Sequence, residues 1–201
     1  MIAAIVLAAG AGKRFGAQKL VAPLRGHPLV RWAVMGAIAA GVDDVVVVVG
    51  HDAASVTAAV DGLPVRVVRN EHAAAGMSTS LAAGVRTLRP GTRAAFVVLG
   101  DQPSVPAEVF HSLRARYEKE RGKGEGKGSV RVVVPRYAGE RGNPVLFDAA
   151  VFPELLLVEG DRGAREVVTR DEKRLADVDF AFAMPADVDD RAALDAAERA
   201  P

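Results

Sequence analysis

Two short runs in this chain are apolar on both alternating faces. Residues 2–8 read IAAIVLA, and residues 44–49 read DVVVVV with a single acid at the start. Side chains alternate between the two faces of a strand, so a run with no polar face must be covered on both sides. Helices are the usual cover. Four further runs rich in valine, isoleucine or leucine follow at 65–69 (VRVVR), 94–99 (AAFVVL), 130–134 (VRVVV) and 143–147 (NPVLF). Helical segments are predicted at 28–40, 53–60, 78–89, 106–121, 149–157, 162–171 and 189–199. Pro28 and Pro106 suit first helical turns, Gly41 suits a helix stop, and Gly84 suits a close packing point. Strands alternating with helices predict an α/β domain with a largely parallel sheet. No internal repeat is visible.

At 201 residues, one domain is expected. Half of the residues (50%) are hydrophobic, enough for a sizeable core. The 26 basic and 25 acidic residues leave a formal charge of +1. That balance points away from nucleic acid and anionic membranes, so any anion site must be local. There is no cysteine, which excludes disulfides, thiolate metal sites and cysteine nucleophiles. No apolar run reaches the roughly 18 residues of a membrane span. The N-terminal run carries its basic residues after the apolar stretch, so it reads as a strand and not as a signal peptide. A cytoplasmic location is expected. The glycine-rich, charged stretch at 122–129 (GKGEGKGS) reads as a surface loop between a regular first half and a less regular second half.

Open α/β sheets bind ligands beyond the carboxyl ends of their strands. Function is therefore sought at 9–19, 50–52, 70–80, 100–103 and 135–142. The first of these segments belongs to LAAGAGKRFGAQKL, residues 7–20. A Walker A loop would need glycine at Leu7 and a hydroxyl at Arg14, and has neither. A dinucleotide fingerprint would use Gly10 and Gly12 but finds Phe15 in its third place, with no acid about twenty residues on. The stretch from Leu7 to Lys19 does resemble a nucleotidyltransferase loop, Leu-Ala-Ala-Gly-x-(Gly/Ser)-x-Arg-(Phe/Met)-Gly-x-x-Lys. Leu7, Ala8, Ala9, Gly10 and Gly12 would bring backbone N–H groups close to a triphosphate. Lys13, Arg14 and Lys19 would supply positive charge for a polyphosphate leaving group.

Asp101, in VVLGDQPSV, lies two residues beyond an apolar run. It reads either as a turn or capping acid or as a Mg²⁺ ligand, and the neighbouring basic loop favours metal. Asn70, Gly76 and Ser80 are candidates for base or sugar contact, while Ser78 also reads as a helix N-cap. Arg141, Asp161, Arg162 and Arg165 lie in glycine-rich loops that suit a phosphate or polar heterocycle, or else carry surface charge. Asp187 and Asp189 precede the last helix, as first-turn acids or as a second metal ligand beside Asp101. The four histidines show no ligand spacing, although His51 sits at a strand end. No Gly-x-Ser-x-Gly elbow supports a hydrolase triad.

Taken in order, LAAGAGKRFGAQKL, NEHAAAGMSTSL, GDQP, RGNPVLF, GDRGAR and DVD resemble the molybdenum cofactor nucleotidyltransferases, and the cytidylyltransferase branch most closely. The resemblance covers nearly the whole chain. It implies a three-layer α/β/α domain whose mainly parallel, mixed sheet has about seven strands. One domain would span 1–201, with a nucleotide-binding half at about 1–121 and an acceptor-binding half at about 130–201. It also implies transfer of CMP from CTP to the terminal phosphate of molybdopterin, with release of pyrophosphate and with Mg²⁺ as cofactor. Arg14, Lys19 and Asp101 would be catalytic, and Asp101, Asp187 and Asp189 would hold metal. Gln102, Pro103, Arg141, Asn143, Asp161 and Arg165 would meet the acceptor, and a molybdenum hydroxylase apoenzyme would receive the product. The chain departs from the family pattern at Asn143, where relatives often carry histidine, and at Asp190-Arg191, where the terminal motif loses its proline. Three other functions stay open. They are an NAD(P)H-dependent oxidoreductase on the same fold, a transferase using GTP or another acceptor, and a non-enzymatic carrier of the cofactor.

Overall fold

The computed structural model describes residues 1–10, 12, 15, 18–122 and 129–199. Its elements run β1 (Ile2–Ala8), β2 (Pro23–Leu24), β3 (His27–Pro28), α1 (Leu29–Ala39), β4 (Asp44–Val49), α2 (Ala53–Ala59) and β5 (Arg66–Arg69). Next come α3 (Met77–Arg86), β6 (Ala94–Leu99), α4 (Ala107–Arg121), β7 (Val132–Tyr137), β8 (Glu140–Arg141) and β9 (Val145–Asp148). The chain ends with α5 (Phe152–Leu155), α6 (Arg165–Arg170), β10 (Leu175–Phe180) and α7 (Arg191–Arg199). The loop expected at 122–129 lies, except for its two ends, outside the described residues.

The main sheet has the order β10-β7-β9-β6-β1-β4-β5, with β8 paired to β7 at one edge. β1 lies between β4 and β6 and is parallel to both. β9 runs antiparallel to β6 and β7. The three-layer fold and the mixed sheet are therefore as expected. Alternating residues of β1 serve two cores. Ile2, Ala4 and Val6 pack with α1, α2 and α4, whereas Ala3 and Ile5 pack with α3, α5 and α6.

Gly84 shows how tightly one of these layers sits. A Cβ there would lie 2.4 Å from Ile5 Cγ2 and 3.1 Å from Val48 Cγ2, so only glycine lets α3 approach the sheet.

Three features were not expected. The hairpin β2–β3 turns on Arg25 (φ 47°) and Gly26 (φ 79°), both left-handed, as a two-residue turn requires. The edge strand β10 reads LADVDF. Asp177 and Asp179 interrupt its apolar pattern and pair with Arg141 and Arg136 across the sheet edge. Segment 149–157 was expected as one helix but forms a 3₁₀ turn followed by the single turn α5.

From β1 the chain moves to β4 and β5 on one side, then returns to β6 on the other. The order of strands reverses between β1 and β6, and a crevice opens beyond their carboxyl ends.

Candidate functional site

That crevice is a cleft of about 510 Å³. Leu7, Ala9 and Gly10 bring the end of β1 to it, Leu99 and Asp101 the end of β6, and Gly76, Met77 and Ser80 the start of α3. Lys19, Asp161, Asp187 and Asp189 supply its charged wall. Gly100 makes the approach possible, because a Cβ there would lie 2.9 Å from the Leu7 carbonyl oxygen.

Lys19 opens a 3₁₀ turn that follows the basic loop. Its Nζ donates to Asp101 Oδ2 at 2.7 Å and to Asp189 Oδ1 at 2.9 Å. Burial opposes the charge on Lys19. The two carboxylates outweigh that effect and hold the ammonium above its ordinary pKa. The terminal segment is tied in by its backbone, with Val188 N donating to Asp101 O at 3.0 Å. Gln102 Nε2 donates to Asp187 Oδ1 at 2.7 Å. Partial burial, then the charge of Asp101, raise the Asp187 pKa, while the Gln102 bond and Lys19 pull it back. A carboxyl in that position is short of positive charge.

A second cavity, of about 590 Å³, shares Leu7, Met77, Leu99 and Asp161 with the first. Asn143 and Arg165 lie in its wall beside Val97, Val145 and Val168. Asp161 joins the two spaces by accepting a hydrogen bond from Met77 N at 3.2 Å. This contact caps α3 from a motif 84 residues away in sequence. Ser78, expected as a cap, is buried inside the helix, and Gly76 occupies the cap position.

The structure thus brings together Leu7, Ala9, Gly10, Lys19, Gly76, Ser80, Asp101, Asp161, Asp187 and Asp189, with Asn143 and Arg165 next door. Ala8 is buried behind them. Gly12 turns with φ 59°, and its carbonyl accepts from Phe15 N. Phe15 is itself a core residue. Lys13 and Arg14 lie outside the described residues.

Several expected site residues are placed differently. Asn70 is buried and acts as a local brace. Its Nδ2 donates to Thr79 Oγ1 and Ser80 Oγ, and its Oδ1 accepts from His72 N. It also borders a neighbouring cavity of about 400 Å³ with Ala9, Gly10 and His51. Gln102 is buried against Asp187 and lines neither the cleft nor the second cavity, nor does Pro103. Arg141 stands at the β7–β8 edge, where Asp177 and Glu172 hold its guanidinium. The sequence reading missed Met77 and Leu99, which wall both cavities. Apolar side chains beside a motif carry no chemical signature.

Asp101, Asp187 and Asp189 offer only carboxylate oxygens, the donors that a hard cation such as Mg²⁺ takes. Among the described residues, no three acidic or imidazole side chains already form a cage for an ion. Water and phosphate oxygens would complete the set. Among the described residues, no helix is long and apolar enough to cross a membrane.

The chain is 33% identical to nicotine blue oxidoreductase of Paenarthrobacter nicotinovorans over 88% of its own length and 85% of that protein. It is 32% identical to the bifunctional protein GlmU of Anaeromyxobacter dehalogenans over 83% of its length, and spans 35% of that larger protein. Its fold is similar to the crystal structure of Rv0371c from Mycobacterium tuberculosis, with a TM-score of 0.83, 26% identity and coverage of 99% and 97% of the two chains. A manganese complex of Rv0371c is also similar, with a TM-score of 0.72, 28% identity and coverage of 93% of each chain. The MobA-like NTP transferase domain matches residues 4–177, so Asp187 and Asp189 lie beyond the matched segment. On this match, with its strand-end cleft of acids and lysine, the chain belongs to the MobA-like NTP transferase domain family.

Proposed function

We propose that this chain transfers CMP from CTP to the terminal phosphate of molybdopterin. The observation that carries the reading is the meeting of Lys19 with Asp101 and Asp189, beside Asp187, in a cleft that opens into a second cavity. The half at about 1–121 would hold the nucleotide, and the half at about 130–201 the acceptor. An oxygen of the acceptor phosphate attacks the α-phosphorus of CTP and forms the new P–O bond. The bond from the α-phosphorus to the bridging oxygen breaks, and pyrophosphate leaves with the electron pair. A phosphate monoester has its second pKa near about 6 and is already ionised at neutral pH, so no strong general base is required.

Catalysis is then positioning and charge neutralisation. Gly10 and Gly12 present backbone to the triphosphate, and Arg14, Lys13 and Lys19 supply charge. Asp101, Asp187 and Asp189 would hold Mg²⁺, which supplies charge neutralisation at the phosphate oxygens when bound. A manganese complex of a similar protein supports a divalent cation in this family. Asn143, Asp161 and Arg165 orient the acceptor. Val97, Leu99, Val145 and Val168 give its cavity apolar walls, which suit a flat heterocycle better than a polyhydroxylated sugar. Arg141, Gln102 and Pro103 are left out of this acceptor site.

A second reading draws on the likeness to nicotine blue oxidoreductase. The same apolar walls would accept a flat aromatic for reduction by a nicotinamide cofactor. The acid cluster argues against it, since hydride transfer does not call for three carboxylates.

The test is to incubate the protein with Mg²⁺, each nucleoside triphosphate and a panel of phosphate acceptors, and to measure pyrophosphate. Release with CTP and molybdopterin, abolished by Asp101→Asn and by EDTA, is expected. NADPH oxidation without CTP, and no pyrophosphate with any pair, would reverse the order of the two readings.

A further inference from the structure

Gln102 is only 3% exposed, and its amide lies against Asp187 at the acidic end of the cleft without lining it. Its Nε2 donates to Asp187 Oδ1 at 2.7 Å. Its Oε1 is buried with no hydrogen-bond partner among the described residues. The orientation has a simple cause. Only the NH₂ end of an amide can face a carboxylate, because the carbonyl end would set acceptor against acceptor. Serving Asp187 therefore strands the other end. A buried acceptor without a partner is costly, and a side chain that only filled this space would do better as an apolar one.

Asp187 needs holding. It sits in an irregular segment between β10 and α7, and the nearby charges of Asp101 and Asp189 push against it. The hydrogen bonds of Lys19 go to Asp101 and Asp189. The side-chain bond on Asp187 comes from Gln102 instead. It uses Oδ1 and does not use Oδ2.

We infer that Gln102 is a positioning residue for the cation site, holding the Asp187 carboxylate beside Asp101 and Asp189 through the Nε2–Oδ1 bond. The inference rests on the reading of Asp187 as a cation ligand. It also moves Gln102 from acceptor contact to support of the metal-binding acids.

The test is Gln102→Met, nearly equal in volume and without the amide. Mn²⁺ binding to the whole chain is measured by electron paramagnetic resonance without nucleotide, alongside the thermal midpoint. Loss of a partner that orients a metal ligand commonly weakens metal affinity about 10–100-fold. The expected result is Mn²⁺ affinity at least about tenfold weaker, a midpoint equal to or above that of the wild type, and an unchanged KM for CTP at saturating metal. In an Asp187→Asn background, Gln102→Met should cost no further affinity. Unchanged Mn²⁺ affinity in a folded variant would overturn the inference. So would an affinity loss that persists in the Asp187→Asn background or tracks a fall in the midpoint. Should the variant fail to fold, the side-chain amide signals of Gln102 in the wild type decide. A shift on adding Mg²⁺ supports the role, and indifference overturns it. Absence of Mn²⁺ binding by the wild type would instead overturn the reading of the acids. Absence of pyrophosphate release with Mn²⁺ binding intact would overturn the transferase reading alone.

Discussion

Nζ of Lys19 lies 2.7 Å from Oδ2 of Asp101, and the same nitrogen reaches Oδ1 of Asp189 at 2.9 Å. One ammonium thus joins the loop after β1, the end of β6 and the segment before α7. It neutralises two acids that a divalent cation would also need. A cation that takes those oxygens must release Lys19, and the released ammonium is then free to turn to phosphate. Lys19→Met is therefore expected to bind Mn²⁺ more tightly than the wild type without nucleotide, even as pyrophosphate release collapses. A gain of at least about tenfold corresponds to about 1.4 kcal/mol. Equal or weaker binding would show that the lysine and the cation do not compete.

Gly76 lies against the turn that carries Asp161. Its φ is +118°, and a Cβ on it would lie 2.8 Å from Gly160 O and 2.9 Å from Asp161 Oδ1. Gly76→Ala combines backbone strain with a clash against a backbone atom that cannot swing away. A loss of about 1–3 kcal/mol is expected, at about 2–4 °C in Tm for each kcal/mol in a chain of this size. The turn carrying Asp161 should be displaced, so the KM for acceptor should rise more than the KM for CTP. Calorimetry and steady-state kinetics check this, and a variant as stable as the wild type would show that the turn does not bear on α3.

Much of this arrangement is legible in the residues. Strands with two apolar faces, such as β1 and β4, can sit only inside a covered sheet, and the residues after β1 and β6 must then meet at its carboxyl edge. Lys19 and Asp101 follow from that rule together with their chemistry. Glycine at position 84 could be read as a packing point because a helix interior otherwise avoids it. Other features could not be read. β10 has the composition of a solvated segment, and its acids make sense only beside Arg136 and Arg141. Arg141 in turn looks like an anion binder until β10 is placed next to it. Gln102 and Asn70 are ambiguous for another reason. An amide serves equally well as a ligand contact or as a brace, and only burial with named partners tells the two apart.

The pH dependence of stability rests on two tyrosines, the chain's only ones. Burial pushes the Tyr117 hydroxyl up to about 12, against a pull from Arg121 and with help from Asp148, which accepts its hydrogen bond at 2.7 Å. Burial raises Tyr137 as well, and its hydroxyl donates to Asn143 O at 2.6 Å. An unfolded tyrosine ionises near about pH 10. The folded protein keeps its protons where the unfolded chain releases them, so stability is intact below about pH 10 and falls as pH climbs through the folded pKa. Tyrosinate absorbance at 295 nm should therefore rise together with loss of the circular dichroism signal. An ordinary titration near pH 10 in the folded protein would contradict this. Tyr117→Phe should be less stable at neutral pH, because Asp148 loses a donor, yet show a flatter decline on the alkaline side.

Ala9 bears on the choice of nucleotide. It is only 8% exposed, at the floor of the cleft and of the neighbouring cavity of about 400 Å³. A Cβ at Gly50 would lie 2.8 Å from Ala9 Cβ and 2.4 Å from Ala73 Cβ, so the Ala9 methyl group already fills the space against its neighbours. If the base sits over Ala9, the methyl group takes room that the larger purine needs. CTP should then be preferred over GTP by about 1–3 kcal/mol, the range that one methyl-sized difference supplies. The measurement is kcat/KM for each nucleotide with a fixed acceptor. Ala9→Gly should narrow the preference mainly by raising turnover of GTP, with a stability cost of roughly 0.5–1 kcal/mol from the added backbone freedom. Equal kcat/KM for CTP and GTP in the wild type, or a preference unmoved by Ala9→Gly, would place the base elsewhere in the cleft.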